Sequence, residues 1–225
     1  HPGATGYGAR FMGIYVFNAQ LLEKLLVEDA QNEQSAHDFG RNILPPAIEA
    51  LQVFAYPFTD VKTRAQNYWR DVGTVDAFYE ANLELIHVAP ELNLYDEEWP
   101  IWTYQSQQPP AKFVLDEPGR SGSAVNSMVS GGCIISGAHI DQSLLFSNVR
   151  VEERSTISRS LLMPQVKVGA NCSIRNAILD EGCEVPEGTQ IGYDRQLDEQ
   201  RFHVTPKGVV LVTPAMLQRL ASGAG

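Results

Sequence analysis

The chain has 225 residues, 44% of them hydrophobic and 20% charged, with a formal net charge of -10. That length holds one large domain or two small ones, and the composition is that of a soluble globular protein. The acidic balance excludes a sequence-independent nucleic-acid binder, which needs a basic footprint.

Residues His1 to Arg10 are rich in Gly and Ala, carry no periodicity and read as a loop or as residues foreign to the natural protein. They lack the charged region and apolar segment of a signal peptide. Without an initiating Met, the chain is expected to begin within a longer protein. Met12 to Phe17 reads as a buried strand. Leu21, Leu22, Leu25 and Leu26 then fall on one helical face, with Glu23, Lys24 and Glu28 outside. Asp38 precedes a second helical stretch with Ile43, Leu44, Ile48 and Leu51, which Pro45 and Pro46 limit to short pieces. Val53 to Phe58 reads as a strand, and a helix starts near Thr74, an N-cap with Asp76 in its first turn. Alternating strands and helices make the first 98 residues α/β. From Trp99 to Ala124, prolines and glycines punctuate what reads as an extended linker or a loop wrapped on a neighbour.

From Asn126 the sequence repeats every 17 residues. Ile134, Val151, Val168 and Val185 are one column, and Ile140, Ile157, Ile174 and Ile191 another. Leu145, Leu162 and Leu179 repeat the same step. A fixed period with aliphatic columns marks a solenoid, whose repeats stack because none buries its apolar face alone. The first two columns lie six residues apart, which matches the hexapeptide repeat of left-handed parallel β-helices. A 17-residue period is one short of three hexapeptides, so one corner of the triangular coil is expected to be tight. Ordinary short strands in a sandwich give no reason for columns in register. This domain is expected over residues 125–225, ending in a strand at Gly208 to Thr213 and a helix opened by Pro214. Cys133, Cys172 and Cys183 are too few and too irregular for a disulfide framework, and no pair has the spacing of a zinc knuckle. They are expected reduced and buried. No apolar run approaches the ~20 residues of a membrane helix.

Three strings carry candidate chemistry. In Tyr68-Trp69-Arg70-Asp71-Val72-Gly73-Thr74, Asp71 suits a hard divalent cation and Trp69 suits a sugar face. The same string also reads as a helix cap with a packed Trp and a surface Arg–Asp pair. His37-Asp38-Phe39-Gly40 reads by itself as an Asp cap with a buried Phe. Gly13-Ile14-Tyr15-Val16-Phe17 reads as a core strand in which Tyr15 has the one polar tip.

In this order, with WRDVGT, PPAKFV, NSMVSGGCIISG, VPEG and GVVLVT, the chain resembles the C-terminal portion of bacterial ADP-glucose pyrophosphorylases (glucose-1-phosphate adenylyltransferases) over residues 12–220. The resemblance implies the end of a Rossmann-like nucleotidyltransferase domain followed by a left-handed parallel β-helix. It implies adenylyl transfer from ATP to glucose 1-phosphate, the first committed step of bacterial glycogen synthesis. Tyr15, Asp38, Phe39 and Trp69 would bind the sugar phosphate, and Asp71 would be a catalytic carboxylate holding Mg²⁺. A cytoplasmic homotetramer under allosteric control by phosphorylated effectors is implied, with no nucleic-acid or membrane partner. Such effectors would bind near Glu181, Pro214, Gln218 and Arg219. Enteric relatives carry Arg at the place of Glu181 and basic residues at Pro214 and Gln218. Phe11 stands where the family commonly has Ser. The family's Gly-rich nucleotide loop, its second Mg²⁺ carboxylate and its Glu-Lys-Pro string do not occur here, so the fragment alone is expected to be inactive. Two other readings remain: a hexapeptide-repeat acyltransferase using His139 as base, and a non-catalytic regulatory or oligomerisation module.

Overall fold

A computed structural model describes residues 12–60, 64–115, 117 and 120–221. The loop reading of residues 1–10 and the departure at Phe11 lie outside these residues. The chain divides into two compact units, residues 1–69 and 70–225.

In the first unit, α1 (Ala19–Ala30) starts at Asn18, whose Oδ1 accepts from the Gln20 and Leu21 amides at 3.1 and 3.3 Å. A π-helical turn, Phe39–Ile43, runs directly into α2 (Leu44–Ala50). Pro45 and Pro46 sit in the first turn of α2, where their missing N–H groups cost nothing. Ile43, Leu44 and Ala47 are buried.

The two strands expected here are corrected. Residues 12–17 and 53–58 form no ladder among the described residues. Val16 is 97% exposed, and Phe54 and Tyr56 are each 86% exposed. A strand exists only against a hydrogen-bonded partner, and the one backbone bond across from the second run is at its end, from the Asn67 amide to the Phe58 carbonyl at 3.2 Å. An isolated antiparallel bridge, Thr59↔Gln66, is the only pairing in the described part of this unit.

The second unit is built on a three-sided parallel solenoid. One face stacks Lys112–Val114, Ile134–Ser136, Arg150–Val151, Lys167–Val168 and Glu184–Val185. The next stacks Ser123–Val125, His139–Asp141, Thr156–Ser158, Ser173–Arg175 and Gln190–Ile191. The third stacks Met128–Val129, Leu144–Leu145, Leu161–Leu162, Ala177–Leu179 and Val210–Val212, with His203–Val204 antiparallel at its edge. The solenoid therefore begins inside the stretch 99–124 expected as a linker. Lys112–Val114 pairs with Ile134–Ser136, and Ser123–Val125 with His139–Asp141.

Corners are marked by left-handed backbone. Gly137, Arg154, Asn171 and Gly188 form one column of positive φ, Gln142, Arg159 and Asn176 a second, and Asn148, Gln165 and Gly182 a third. From the first column to the second is five residues in every coil; the other two sides take six from Gln142 onward. The tight corner expected from the period is thus one short side. At Gly192 (φ 83°) a side chain is excluded, because a Cβ there would lie 1.9 Å from the Arg175 carbonyl oxygen.

The inner columns differ from expectation at one place. Val151 pairs with Ile135, not Ile134. Gly132 to Gly137 spans five residues where the equivalent side of later coils spans six. The first full coil is therefore one residue shorter, and alternation turns Ile135 inward. The columns through Ile140 and Leu145 stand in the expected register. Fully burying each such Leu or Ile stabilises by roughly 1.5–3 kcal/mol.

Buried Ser143 and Ser160 form a column between successive coils that hydrophobic periodicity does not reveal. Each hydroxyl donates to the carbonyl two residues earlier, at 2.7 and 2.8 Å, and accepts the amide one coil on, at 3.0 and 3.3 Å. The three cysteines are free and buried as expected. Burial raises all three thiols, Cys183 to about 12.

Helix α3 (Val75–Glu84) covers the third face. Its expected cap is present: Thr74 Oγ1 accepts the Ala77 amide at 3.2 Å. Tyr79 and Leu83 pack on Leu144, Leu161, Ile178 and Val209. This explains the doubled aliphatics of that face: Leu145 and Leu162 point into the coil, while Leu144 and Leu161 point at α3. The charged segment after Tyr193 forms α4 (Arg195–Arg201), capped by Asp194. Asp198, 1% exposed, accepts from the Gly192 amide and from Arg201 at 2.8 and 2.9 Å. Phe202 and, from α5 (Pro214–Ala221), Leu217 join the solenoid core.

Candidate functional site

Each candidate residue of the first unit is placed by local chain geometry. Burial alternates along residues 14–17: Tyr15 and Phe17 are half-buried, while Ile14 and Val16 are exposed. Phe39 opens the π-turn and meets both. Its ring stacks on Tyr15 at 5.7 Å between centroids and 14° between planes. Phe17 lies 6.0 Å from Phe39 and 6.4 Å from Tyr15, tilted and edge-on. Two of the three strings therefore converge through Tyr15 and Phe39. Phe17, which sequence reasoning left as a plain core residue, belongs to the same aromatic group.

Asp38 precedes Phe39 and is exposed. Its Oδ1 accepts the Arg41 amide at 2.9 Å, while its own amide donates to Asn42 Oδ1 at 3.2 Å. The cap reading of Asp38 holds, and one carboxylate oxygen is engaged in it. His37 has φ 54°, a conformation that costs a residue with a Cβ. Its Nδ1 is 2.7 Å from Asp29 Oδ2, and Ser35 Oγ donates to Asp29 Oδ1 at 2.6 Å. The hydrogen bond from Ser35, then that from His37, hold the Asp29 carboxyl below the usual carboxylate range. Trp69, at the end of this unit, is half-buried.

In the second unit, Asp71 is exposed and its Oδ1 accepts the Gly73 amide at 2.9 Å, a turn that feeds the Thr74 cap. Arg70 binds Glu84 at 3.0 Å and also pairs with Glu91. Among the described residues, no three His, Cys, Asp or Glu converge on one point. Asp71 thus offers a single carboxylate. That fits Mg²⁺, which takes one or two carboxylates and completes its shell with water and substrate phosphate.

Glu181 is exposed and its amide donates to Asp180 Oδ1 at 2.9 Å. The Asp180 amide donates to the Val212 carbonyl at 2.9 Å, so Glu181 lies beside the strand that leads to Pro214. Gln218 and Arg219 are exposed on α5. His139 is exposed on the second face, its Nδ1 2.8 Å from Ser123 Oγ.

Sequence comparison bears on the whole chain. A family model described as nucleotidyl transferase matches residues 8–87. One described as a GlmU-like, C-terminal hexapeptide matches residues 109–212. A glucose-1-phosphate adenylyltransferase of Nitrosococcus oceani is 58% identical over 217 residues, covering 96% of this chain and 51% of the relative. Those of Methylococcus capsulatus and Methylobacillus flagellatus are each 54% identical, over 97% and 96% of this chain and 52% and 51% of their own lengths. The chain belongs to the glucose-1-phosphate adenylyltransferase family. It spans about half the length of the curated relatives it matches. The order expected from the sequence, a nucleotidyltransferase region followed by a parallel β-helix, is the one these matches follow. No helix among the described residues is long and apolar enough to cross a membrane.

Proposed function

We propose that this chain forms the sugar-phosphate side and the β-helix of an enzyme that makes ADP-glucose and pyrophosphate from ATP and α-D-glucose 1-phosphate. The reaction is the first committed step of bacterial glycogen synthesis. In this reading Tyr15, Asp38, Phe39 and Trp69 hold the glucose 1-phosphate. Asp71 is the chain's carboxylate for Mg²⁺, which when bound neutralises phosphate charge. The sugar phosphate attacks the α-phosphate of ATP, so the protein's work is alignment and electrostatic stabilisation, not covalent chemistry. Nothing in the arrangement calls for a nucleophilic side chain.

The observation that carries the reading is the Tyr15–Phe39 stack beside Asp38. It presents an aromatic surface and a carboxylate within the segment matched by the nucleotidyl transferase family. Apolar ring faces and a hydrogen-bond acceptor suit a pyranose, which has both C–H faces and hydroxyls.

The domain organisation belongs to the same proposal: residues 1–98 for the nucleotidyltransferase part, a connection from residue 99 to the first solenoid strand at Lys112, and the regulatory and assembly β-helix from there to residue 225. So do a cytoplasmic location, a homotetramer, and phosphorylated effectors bound near Glu181, Pro214, Gln218 and Arg219. Adenylyl transfer is to be assayed on the intact protein and on the 225-residue chain in parallel. The intact protein is expected to form ADP-glucose and the chain alone to form none. An intact protein that forms none overturns the reading, and turnover by the chain alone overturns the division of labour.

A further inference from the structure

The loop that presents Asp38 and Phe39 is fastened to the end of α1 by one carboxylate. Asp29 lies in the last turn of α1, and its side chain is only 11% exposed. Both its oxygens are used: Oδ1 accepts the Ser35 hydroxyl at 2.6 Å, and Oδ2 meets His37 Nδ1 at 2.7 Å. The His37 amide closes the ring by donating to Ser35 Oγ at 3.0 Å. Within the loop, the Ser35 amide donates to the Asn32 carbonyl and the Asn32 amide to the Asp29 carbonyl, both at 3.0 Å.

His37 holds a left-handed backbone conformation that a residue with a Cβ avoids unless its surroundings impose it. Here the imposing contacts are the Asp29 and Ser35 bonds. The next residue, Asp38, caps the π-turn, and the one after, Phe39, stacks on Tyr15. Releasing His37 frees the backbone immediately before both groups.

We infer that His37, clasped by Asp29 and Ser35, is a positioning residue that sets Asp38 and Phe39 for the sugar phosphate. This inference rests on the sugar-phosphate reading of Tyr15, Asp38 and Phe39. His37 acts through its neighbours and is not itself a ligand of the sugar. Its loss reduces the fraction of molecules with a competent pocket, which weakens apparent affinity for one substrate.

The test uses the intact enzyme. His37→Ala and Asp29→Ala are each expected to raise KM for glucose 1-phosphate about tenfold, a coupling of the size seen between residues in contact. KM for ATP and kcat should stay within about twofold. The double variant is expected to be no worse than either single one, since both remove the same contact. His37→Asn should recover most of the loss, because Asn accepts positive φ and retains a donor for Asp29. Asp38→Ala serves as the control on the underlying reading. If Asp38→Ala leaves KM for glucose 1-phosphate unchanged, the sugar-phosphate reading fails. If Asp38→Ala raises it but His37→Ala does not, the clasp is overturned and the reading stands. A loss in His37→Ala that falls equally on ATP, glucose 1-phosphate and kcat, or one that Asn does not repair, also overturns the clasp.

Discussion

The Tyr79 hydroxyl donates to the Arg159 carbonyl at 2.5 Å, joining α3 to a corner of the solenoid 80 residues away. Arg159 has φ 46°, so the bond falls where the backbone is held in a left-handed corner. Burial raises the Tyr79 hydroxyl above its ordinary pKa, which keeps the donor protonated. Tyr79→Phe is expected to destabilise the protein by about 1 kcal/mol, the usual net value of such a bond. Leu83→Ala, on the same helix, should cost about 2–4 kcal/mol through a cavity against the third face. Urea denaturation of both variants checks the ranking, and equal losses would contradict it.

The shortened first coil gives a sharper test of register. Ile135→Ala is expected to cost about 2–5 kcal/mol, because Ile135 is fully buried in the column with Val151. Ile134→Ala, one residue away and half-exposed, should cost about 1 kcal/mol or less. The reverse order in thermal melting would restore the column as the 17-residue spacing first suggests it.

Cys183 connects burial to pH. Its thiol is raised to about 12 by burial, and secondarily by the Asp180 carboxylate. The unfolded chain therefore loses this proton near pH 9 while the folded protein keeps it. Above the unfolded pKa the unfolded state binds fewer protons, so stability falls with rising pH, between about 9 and 12. Cys183→Ser is expected to flatten that alkaline limb. Thiol titration should find all three cysteines slow in the folded protein and fast after denaturation.

In the intact enzyme, Asp71→Asn is expected to lower turnover about a hundredfold, the loss of roughly 3 kcal/mol of electrostatic stabilisation. Asn keeps an oxygen for the Gly73 amide, so the turn before α3 and the melting temperature should be preserved. Near-normal turnover at limiting Mg²⁺ would leave Asp71 as a turn former alone. Trp69→Ala should instead raise KM for glucose 1-phosphate more than KM for ATP.

Regulation should follow charge around the strand that leads to α5. Glu181 is exposed, and Pro214 and Gln218 supply no cation, leaving Arg219. A carboxylate repels phosphate, so of the phosphorylated effectors the resemblance implies, a sugar bisphosphate such as fructose 1,6-bisphosphate is expected to activate the intact enzyme weakly and a nucleoside monophosphate such as AMP to inhibit it weakly. Glu181→Arg should strengthen the activation severalfold. Strong micromolar activation of the unmodified enzyme, unchanged in Glu181→Arg, would count against this.

Much of this protein is legible in its sequence. The 17-residue columns through Ile140 and Leu145 specify a stacked coil, because only stacking puts every seventeenth residue in one environment. The Thr74 cap and the Pro214 helix start follow from local backbone chemistry, which the sequence states directly. Tertiary structure decided the rest. The apolar runs at 12–17 and 53–58 have strand composition, but a ladder depends on a partner strand, and a single run carries no information about one. Ile134 and Ile135 are chemically identical, and one residue fewer between Gly132 and Gly137 selects the inner one. The doubled leucines of the third face needed α3 to explain why both are buried. His37 drew no notice in the sequence beyond its place in a string. Its hold on Asp29 arises because the chain after α1 folds back on the helix end, and a hydrogen bond between side chains eight residues apart leaves no periodic trace.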